Sequence, residues 1–169
     1  MAHDPRLQDW FRAVDKDGSG QISATELVQA LGSGGLQISL TFGGSLIRLF
    51  DKSNTGRMDY HAFCECHMWI MSVREHFMRF DTDGSKTLGF NELHQAVTSA
   101  GFNLDSTPFY ELCKTFDPDR TGHLSLTSYL AMCALLKSAS NVFRSFDPQG
   151  SGRITLSFDQ LIYVAALIR

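Results

Sequence analysis

The sequence predicts an all-α protein made of five helix-loop-helix units. Three observations lead to this prediction. A short motif that ends near an Asp recurs five times along the 169 residues. Apolar residues precede and follow each copy at helical spacing. The composition suits a compact protein, because 43% of the residues are apolar and only 20% are charged, so the chain has enough apolar surface to bury a core.

The repeat is defined by the Asp that begins each predicted loop. Its five copies are FRAVDKDGSG, IRLFDKSNTG, FMRFDTDGSK, CKTFDPDRTG and FRSFDPQGSG. The leading residues are Asp15, Asp51, Asp81, Asp117 and Asp147, which stand 36, 30, 36 and 30 residues apart. This alternation groups the units into a first pair, a second pair and a single fifth unit. The predicted loops are 15–26, 51–62, 81–92, 117–128 and 147–158, within a single domain that spans 1–169.

The helices are predicted from the apolar residues on either side of these loops. Apolar side chains lie four residues and one residue before each Asp, as Phe11 and Val14 do before the first. Residues 60–80 and 126–146 contain no Gly or Pro, so each stretch is predicted to be one long helix that joins two units. Breaks are predicted at the GSGG segment, 32–35, and between 101 and 108, where Asp105 is a candidate N-cap.

The first loop, DKDGSGQISATE, places oxygen atoms at the spacing that calcium requires. Calcium binds about six to eight oxygens in a roughly pentagonal-bipyramidal arrangement. The candidate ligands are the side chains of Asp15, Asp17, Ser19 and Glu26 and the carbonyl of Gln21. Gly20 permits the sharp bend at the sixth position, and Ser23 is expected to act through a water molecule. The pattern is that of a complete EF-hand calcium loop.

The third loop, DTDGSKTLGFNE, keeps the same ligand types. Its candidates are the side chains of Asp81, Asp83, Ser85 and Glu92 and the carbonyl of Thr87. Lys86 stands where the bend favours Gly, and a non-Gly residue at positive φ costs about 1 kcal/mol. We therefore expect this site to be weakened but not abolished.

The second, fourth and fifth loops lack the closing carboxylate. Their twelfth positions are Ala62, Ser128 and Phe158, so we expect them to bind no calcium tightly and to serve as structural partners. The sequence thus predicts two calcium sites, in hands 1 and 3. Each has three carboxylates, which indicates sensor affinities of about 10⁻⁷ to 10⁻⁵ M.

EF-hand loops pair through a short antiparallel ladder at their eighth positions. We expect Ile22 to face Met58, and Leu88 to face Leu124. The fifth loop is then left without a partner, which predicts a dimer through the fifth hand, either with a second copy or with a related chain. The candidate dimer residues are Ile154, Phe158, Leu161, Ile162 and Val164.

The five hands, the 36/30 alternation and the unpaired fifth unit resemble the penta-EF-hand family over nearly the whole chain. Calcium loops in hands 1 and 3, with Phe158 and Asp159 in the fifth loop, are most similar to the apoptosis-linked-gene-two (programmed cell death six) branch. The resemblance implies a calcium-dependent adaptor that binds Pro-rich segments of proteins in endosomal sorting, membrane repair and vesicle coats. Members of the family carry a Gly/Pro-rich N-terminal extension that is absent from this sequence, which weakens the case for membrane attachment.

A calcium-dependent partner surface is predicted on the long helix that joins the second and third hands, and near the fourth hand. Its candidate residues are Trp69, Ile70, Val73, Phe102 and Phe109. An aromatic groove of this kind suits Pro-rich peptides, and filling a sensor hand exposes such grooves. The alternative is that these residues belong to the ordinary core, where aromatic residues at helical spacing are common.

Other function classes receive less support. No nucleophile, phosphate-loop or metalloprotease motif occurs, so no enzymatic activity is expected. A net charge of -3 without a basic cluster argues against nucleic acid as a partner. The N-terminal residues lack a signal-peptide pattern, so we expect a cytoplasmic protein, with nuclear location or recruitment to endomembranes on a calcium rise also compatible. The alternative function is a regulatory subunit or domain of a calpain-like cysteine protease.

Overall fold

The computed structural model of the protein describes residues 5–168. The helices in this range are α1 (Pro5–Val14), α2 (Ala24–Ser33), α3 (Leu40–Phe50), α4 (Tyr60–Phe80), α5 (Phe90–Ser99), α6 (Ser106–Phe116), α7 (Leu126–Phe146) and α8 (Phe158–Ile168). Two short strands, β1 (Thr87–Gly89) and β2 (His123–Ser125), pair antiparallel. The predicted all-α fold of helix-loop-helix units with short loop ladders is confirmed.

The two long helices, α4 and α7, join successive hands without interruption. Their bounds coincide with the two stretches that contain no Gly or Pro. Each begins after a side-chain cap. The Asp59 side chain accepts a hydrogen bond from the Ala62 N–H, and the Ser125 hydroxyl accepts one from the Ser128 N–H. Each ends at the Asp that opens the next loop, Asp81 or Asp147. The helical backbone of hand 2 therefore continues without a break into hand 3, and that of hand 4 into hand 5.

Two ladders connect the loops in pairs. Ile22 and Met58 exchange two backbone hydrogen bonds of 2.7 and 2.9 Å, and Leu88 lies opposite Leu124 in the β1–β2 sheet. All four side chains are at most 2% exposed. Burial of an apolar side chain of this size stabilises the fold by about 1.5–3 kcal/mol, so these residues hold the loops to the core as well as to each other.

The core is one continuous cluster that runs through both loop pairs. The contact between α4 and α7 is central to it, because Tyr129 is fully buried there against Phe77. Nδ1 of His76 lies 2.8 Å from the Tyr129 hydroxyl, which satisfies this polar group inside the contact. The two pairs of hands are thereby packed as one body.

The fifth hand differs from the others because its second helix buries none of its residues. Within residues 5–168, the stretch around Ile154 has no strand partner. The apolar side chains of α8 are exposed at Phe158 (74%), Leu161 (51%) and Ile162 (54%), whereas Val164 is half-buried. Within the same range, no helix combines the length and the apolar character needed to cross a bilayer.

Candidate metal centres

All five loops share one backbone frame over their first six positions. In each loop the first Asp accepts a hydrogen bond from the N–H of the sixth residue, at 2.7 to 3.0 Å. The donors are Gly20, Gly56, Lys86, Gly122 and Gly152, and all have positive φ. The fourth position also has positive φ in every loop, including Asn54 and Arg120. The shape of the first half of the loop therefore does not depend on a closing carboxylate.

The first hand brings three predicted ligands together. Oxygen atoms of Asp15, Asp17 and Glu26 all lie within 4.8 Å of one another. Two oxygens bound to one calcium ion at about 2.3–2.6 Å each are at most roughly 5 Å apart. The spacing and the hard oxygen donors of this cluster thus fit calcium.

Glu26 is the residue that ties this loop to its exit helix. Its Oε1 accepts hydrogen bonds from the Lys16 N–H (3.0 Å) and the Asp17 N–H (3.4 Å). Its Oε2 accepts from the N–H (2.9 Å) and the hydroxyl (2.6 Å) of Ser23, which caps α2 in return. These bonds, those from Ser23 foremost, lower the pKa of Glu26. Glu26 as a residue is only 8% exposed, yet its carboxylate stays ionised because every donor around it favours the charged form.

The remaining predicted ligands of the first hand adjoin these three acids. The Ser19 hydroxyl donates to the Gln21 carbonyl at 2.8 Å, and the Ser19 N–H donates to both Asp15 and Asp17 at 3.0 Å. Hydrogen bonding to Ser19 lowers the pKa of Asp17 to about 2. Asp17 and Glu26 are therefore ionised at neutral pH and available to a cation.

The third hand repeats this arrangement in a more exposed setting. Asp81, Asp83 and Glu92 form the second cluster within 4.8 Å. Oε1 of Glu92 accepts from the hydroxyl (2.7 Å) and the N–H (2.9 Å) of Thr82, and these bonds lower the pKa of Glu92. Ser85 donates to the Thr87 carbonyl at 2.9 Å, as Ser19 does to Gln21.

Lys86 occupies the bend of the third loop with a φ of 64°. This is the left-handed conformation that the sequence predicts for the sixth position. Its N–H still reaches Asp81 at 3.0 Å. The loop therefore keeps its frame, while the backbone of Lys86 carries the expected strain.

The fifth loop departs from the predicted register. In the first four hands the exit helix begins at the tenth position of the loop, whereas α8 begins at Phe158, two residues later. Ser157 and Gln160 form a reciprocal cap, since the Ser157 N–H donates to Gln160 Oε1 (2.9 Å) and the Gln160 N–H donates to Ser157 Oγ (3.3 Å). This pair occupies the place that Ser23 and Glu26 have in the first hand. The closing residue is accordingly Gln160 and not Phe158, and its neutral amide cannot replace a bidentate carboxylate.

Sequence reasoning also missed Arg57, the seventh residue of the second loop. Its Nη1 lies 3.4 Å from Asp17 Oδ2 and 3.2 Å from Ser19 Oγ. The only signal for this contact is indirect, because the pairing of Ile22 with Met58 places residue 57 beside the first loop.

The candidate partner surface is largely inside the protein in this structure. Ile70, Val73 and Phe109 are 7%, 8% and 1% exposed, so they are core residues here and do not meet solvent. Trp69 and Phe102 are half-buried. The apolar side chains that α4 does expose are its methionines, Met68 (46%), Met71 (38%) and Met78 (64%).

Comparison with known proteins identifies similar chains. A family model described as "EF-hand domain pair" matches residues 70–134, and one described as "EF hand" matches residues 7–31. Penta-EF hand domain-containing protein 2 of Dictyostelium discoideum is 31% identical, with 96% of this chain and 78% of that protein aligned. Peflin of Danio rerio is also 31% identical over 94% of this chain.

The aligned share of the relative's length differs among these matches. The chain spans 59% of the length of the zebrafish peflin. The solved structure of a programmed cell death 6 protein homolog from Leishmania major Friedlin superposes with a TM-score of 0.72 at 36% identity, over 96% of this chain and 94% of that one. This solved homolog comes from the branch that the sequence resembles.

Proposed function

The chain belongs to the penta-EF-hand family of calcium-binding proteins, and we propose that it is a calcium sensor and adaptor. In this proposal calcium binds hands 1 and 3, and the protein then recruits Pro-rich segments of partner proteins. The partners would act in membrane trafficking, membrane repair or cell death, as the family resemblance implies. The protein would work in the cytoplasm, with nuclear location or recruitment to endomembranes when calcium rises.

The observation that carries the proposal is the pair of three-carboxylate clusters, each closed by a Glu at the start of an exit helix. Asp15, Asp17 and Glu26 form one cluster, and Asp81, Asp83 and Glu92 form the other. A bound calcium ion would supply two positive charges to each set of acids. No third set of such groups occurs within residues 5–168, in line with a stoichiometry of two.

The link from site to surface is the dual role of the closing Glu. Glu26 is the third residue of α2 and caps its first turn, while its other oxygen bonds the backbone of the entering loop. Any change in the partners of this carboxylate therefore alters how α2 is held relative to α1. Sensor hands use such a change to reorient their helices and uncover apolar side chains.

Two features support an apolar partner surface. Met68, Met71 and Met78 are exposed along α4, and methionine is common at surfaces that bind varied apolar partners. Beside them Trp69 packs on Phe50 with ring centroids 5.8 Å apart. Ile70, Val73 and Phe109 would join this surface only after the helices reorient.

We further propose that the fifth hand pairs with a second penta-EF-hand chain. The exposed apolar residues of α8 and the unpaired stretch at Ile154 support this pairing, because both leave groups that a partner helix and strand can satisfy. Sedimentation tests it against the alternative of a protease regulatory subunit. A homodimer supports the adaptor, whereas a monomer that awaits a large catalytic partner supports the alternative.

The whole proposal is tested by calcium titration of the Glu26→Ala, Glu92→Ala double variant. We expect micromolar calcium binding and the calcium-induced rise in apolar-dye fluorescence to disappear, with the dimer intact. A matched control, Glu65→Ala with Glu111→Ala, removes two helical carboxylates outside the loops and should leave both signals unchanged. Unchanged calcium binding in the first variant would refute the assignment of the sites.

A further inference from the structure

Arg57 places a permanent positive charge on the ligands of the first hand. It belongs to the second loop, which has no closing carboxylate of its own. Its Nη1 nevertheless lies 3.4 Å from Asp17 Oδ2 and 3.2 Å from Ser19 Oγ, so it contacts the third and fifth ligand positions of the neighbouring loop.

The contact follows from the register of the loop pair. Because Met58 pairs with Ile22, the preceding residue of the second loop lies opposite Ser23, at the edge of the first site. A side chain as long as that of arginine can extend from there over Asp17. Arginine guanidinium groups carry a permanent positive charge, so this contact brings a cation to the edge of the first site.

The third hand is built differently at the same position. The seventh residue of the paired loop, which is Arg57 beside the first hand, is His123 beside the third hand. His123 pairs with Gly89 in the β1–β2 ladder. Asp83 accepts a hydrogen bond from the Ser85 N–H at 2.9 Å, as Asp17 does from the Ser19 N–H at 3.0 Å, so the difference between the two sites lies in the residue that the paired loop places beside them. The two candidate sites therefore have similar acids and different charges around them.

We propose that Arg57 is an internal competitor that lowers the calcium affinity of the first hand. The proposal rests on the proposed function, because it concerns the regulation of a calcium site in that hand. In the calcium-free protein the guanidinium offsets the repulsion among Asp15, Asp17 and Glu26. For a dication to bind, Arg57 must either leave these oxygens or stay close to a charge of the same sign, and both cost affinity.

The size of the effect follows from the distance. A dication on the Asp17 carboxylate would lie roughly 6 Å from the guanidinium charge, given calcium–oxygen distances of about 2.3–2.6 Å. Coulomb repulsion at that distance in water weakens binding by about tenfold. Salt and the mobility of an exposed side chain reduce this, so we expect Arg57→Gln to tighten the first hand by about threefold to tenfold.

Calorimetric calcium titration of the full chain tests the proposal in a Glu92→Gln background, which silences the third hand. Arg57→Gln should bind calcium about threefold to tenfold more tightly than its parent, and the difference should shrink in 1 M salt. Arg57→Lys should bind calcium almost as weakly as the parent, because lysine keeps the positive charge. Lys52→Gln is the matched control, because it removes one exposed charge from the same loop where Lys52 pairs with Glu65, and it should change affinity much less.

Thermal unfolding gives a second readout. Arg57→Gln should have an equal or slightly lower melting temperature in chelator and a larger rise on adding calcium. Equal or weaker calcium affinity in Arg57→Gln would overturn the inference, since Arg57 would then only position the ligands. If the Glu92→Gln parent binds no calcium while Glu26 is intact, the first-hand site of the proposed function fails, and this inference fails with it.

Discussion

Replacement of Glu26 by Gln isolates the charge of the closing residue while keeping its size. In the native protein both carboxylate oxygens accept hydrogen bonds, one from the Lys16 and Asp17 N–H groups and the other from Ser23. A glutamine offers one carbonyl oxygen and one NH₂ group. In either orientation of the amide, its NH₂ group faces N–H or O–H donors that bonded to a carboxylate oxygen in the native protein. Two donors cannot bond to each other, so these hydrogen bonds are lost.

The magnitude can be worked out from this geometry. Hydrogen bonds to a charged group stabilise by about 1.5–3 kcal/mol, and Glu26 is only 8% exposed, so water restores little of the loss. We expect the calcium-free variant to lose about 1.5–3 kcal/mol of unfolding free energy. For a chain of this length that corresponds to a melting temperature lower by roughly 3–12 °C. Calcium affinity of the first hand should fall by more than about tenfold, because one of three carboxylates is gone.

Scanning calorimetry in chelator and titration calorimetry with calcium measure the two effects separately. Glu111→Gln is the control, since Glu111 is an exposed helical acid that pairs with Lys114 at 2.9 Å, and surface pairs of this kind contribute about 0–1 kcal/mol. An unchanged melting temperature for Glu26→Gln would refute the role of these hydrogen bonds. An unchanged first-hand affinity would refute the role of Glu26 as a ligand.

Three other changes test separate parts of the account. Lys86→Gly should relieve the strain at φ 64° and tighten the third hand by up to about fivefold in titration calorimetry; a weaker site would contradict this. Leu161→Asp with Ile162→Asp should give a monomer in sedimentation with unchanged calcium binding, and a persistent dimer would place the interface elsewhere. Burial lowers the pKa of His76 from its usual value near 6.5. The stability that neutral His76 contributes should therefore be fully present above about pH 6.5 and be lost as the pH drops through the lowered pKa. His76→Gln should flatten that pH dependence, and an identical slope would exclude His76 as its source.

The helical framework could be predicted closely because local signals agree there with the tertiary structure. The bounds of α4 and α7 match the uninterrupted stretches in the sequence, since each is capped at one end and stops at a loop Asp at the other. Two contacts between loops, Ile22 with Met58 and Leu88 with Leu124, could also be predicted. Each follows from the position of one apolar residue in each loop.

The fifth loop could not be placed by copying the register of the first four. Its exit helix starts two residues later, and the closing position falls on Gln160. The sequence does contain a signal for this start, because Ser157 followed three residues later by Gln160 is a capping-box pattern. A register derived from repetition alone overrides such a local signal and misplaces the last turn of the loop.

Long-range contacts were beyond the sequence. Nothing local to Arg57 indicates that its side chain reaches Asp17, since the contact exists only after two loops pair. Similarly, helical spacing cannot separate a core aromatic from one that binds a partner, and the structure buries Ile70, Val73 and Phe109. Exposure of the α4 methionines is likewise a result of packing and not of pattern.

Titration calorimetry of the unaltered chain with calcium measures whether hands 1 and 3 are calcium sites. We expect two ions to bind per chain with dissociation constants of about 10⁻⁷ to 10⁻⁵ M, and both binding events to be lost when Glu26 and Glu92 are replaced together. A chain that takes up no calcium below millimolar concentration would contradict this expectation.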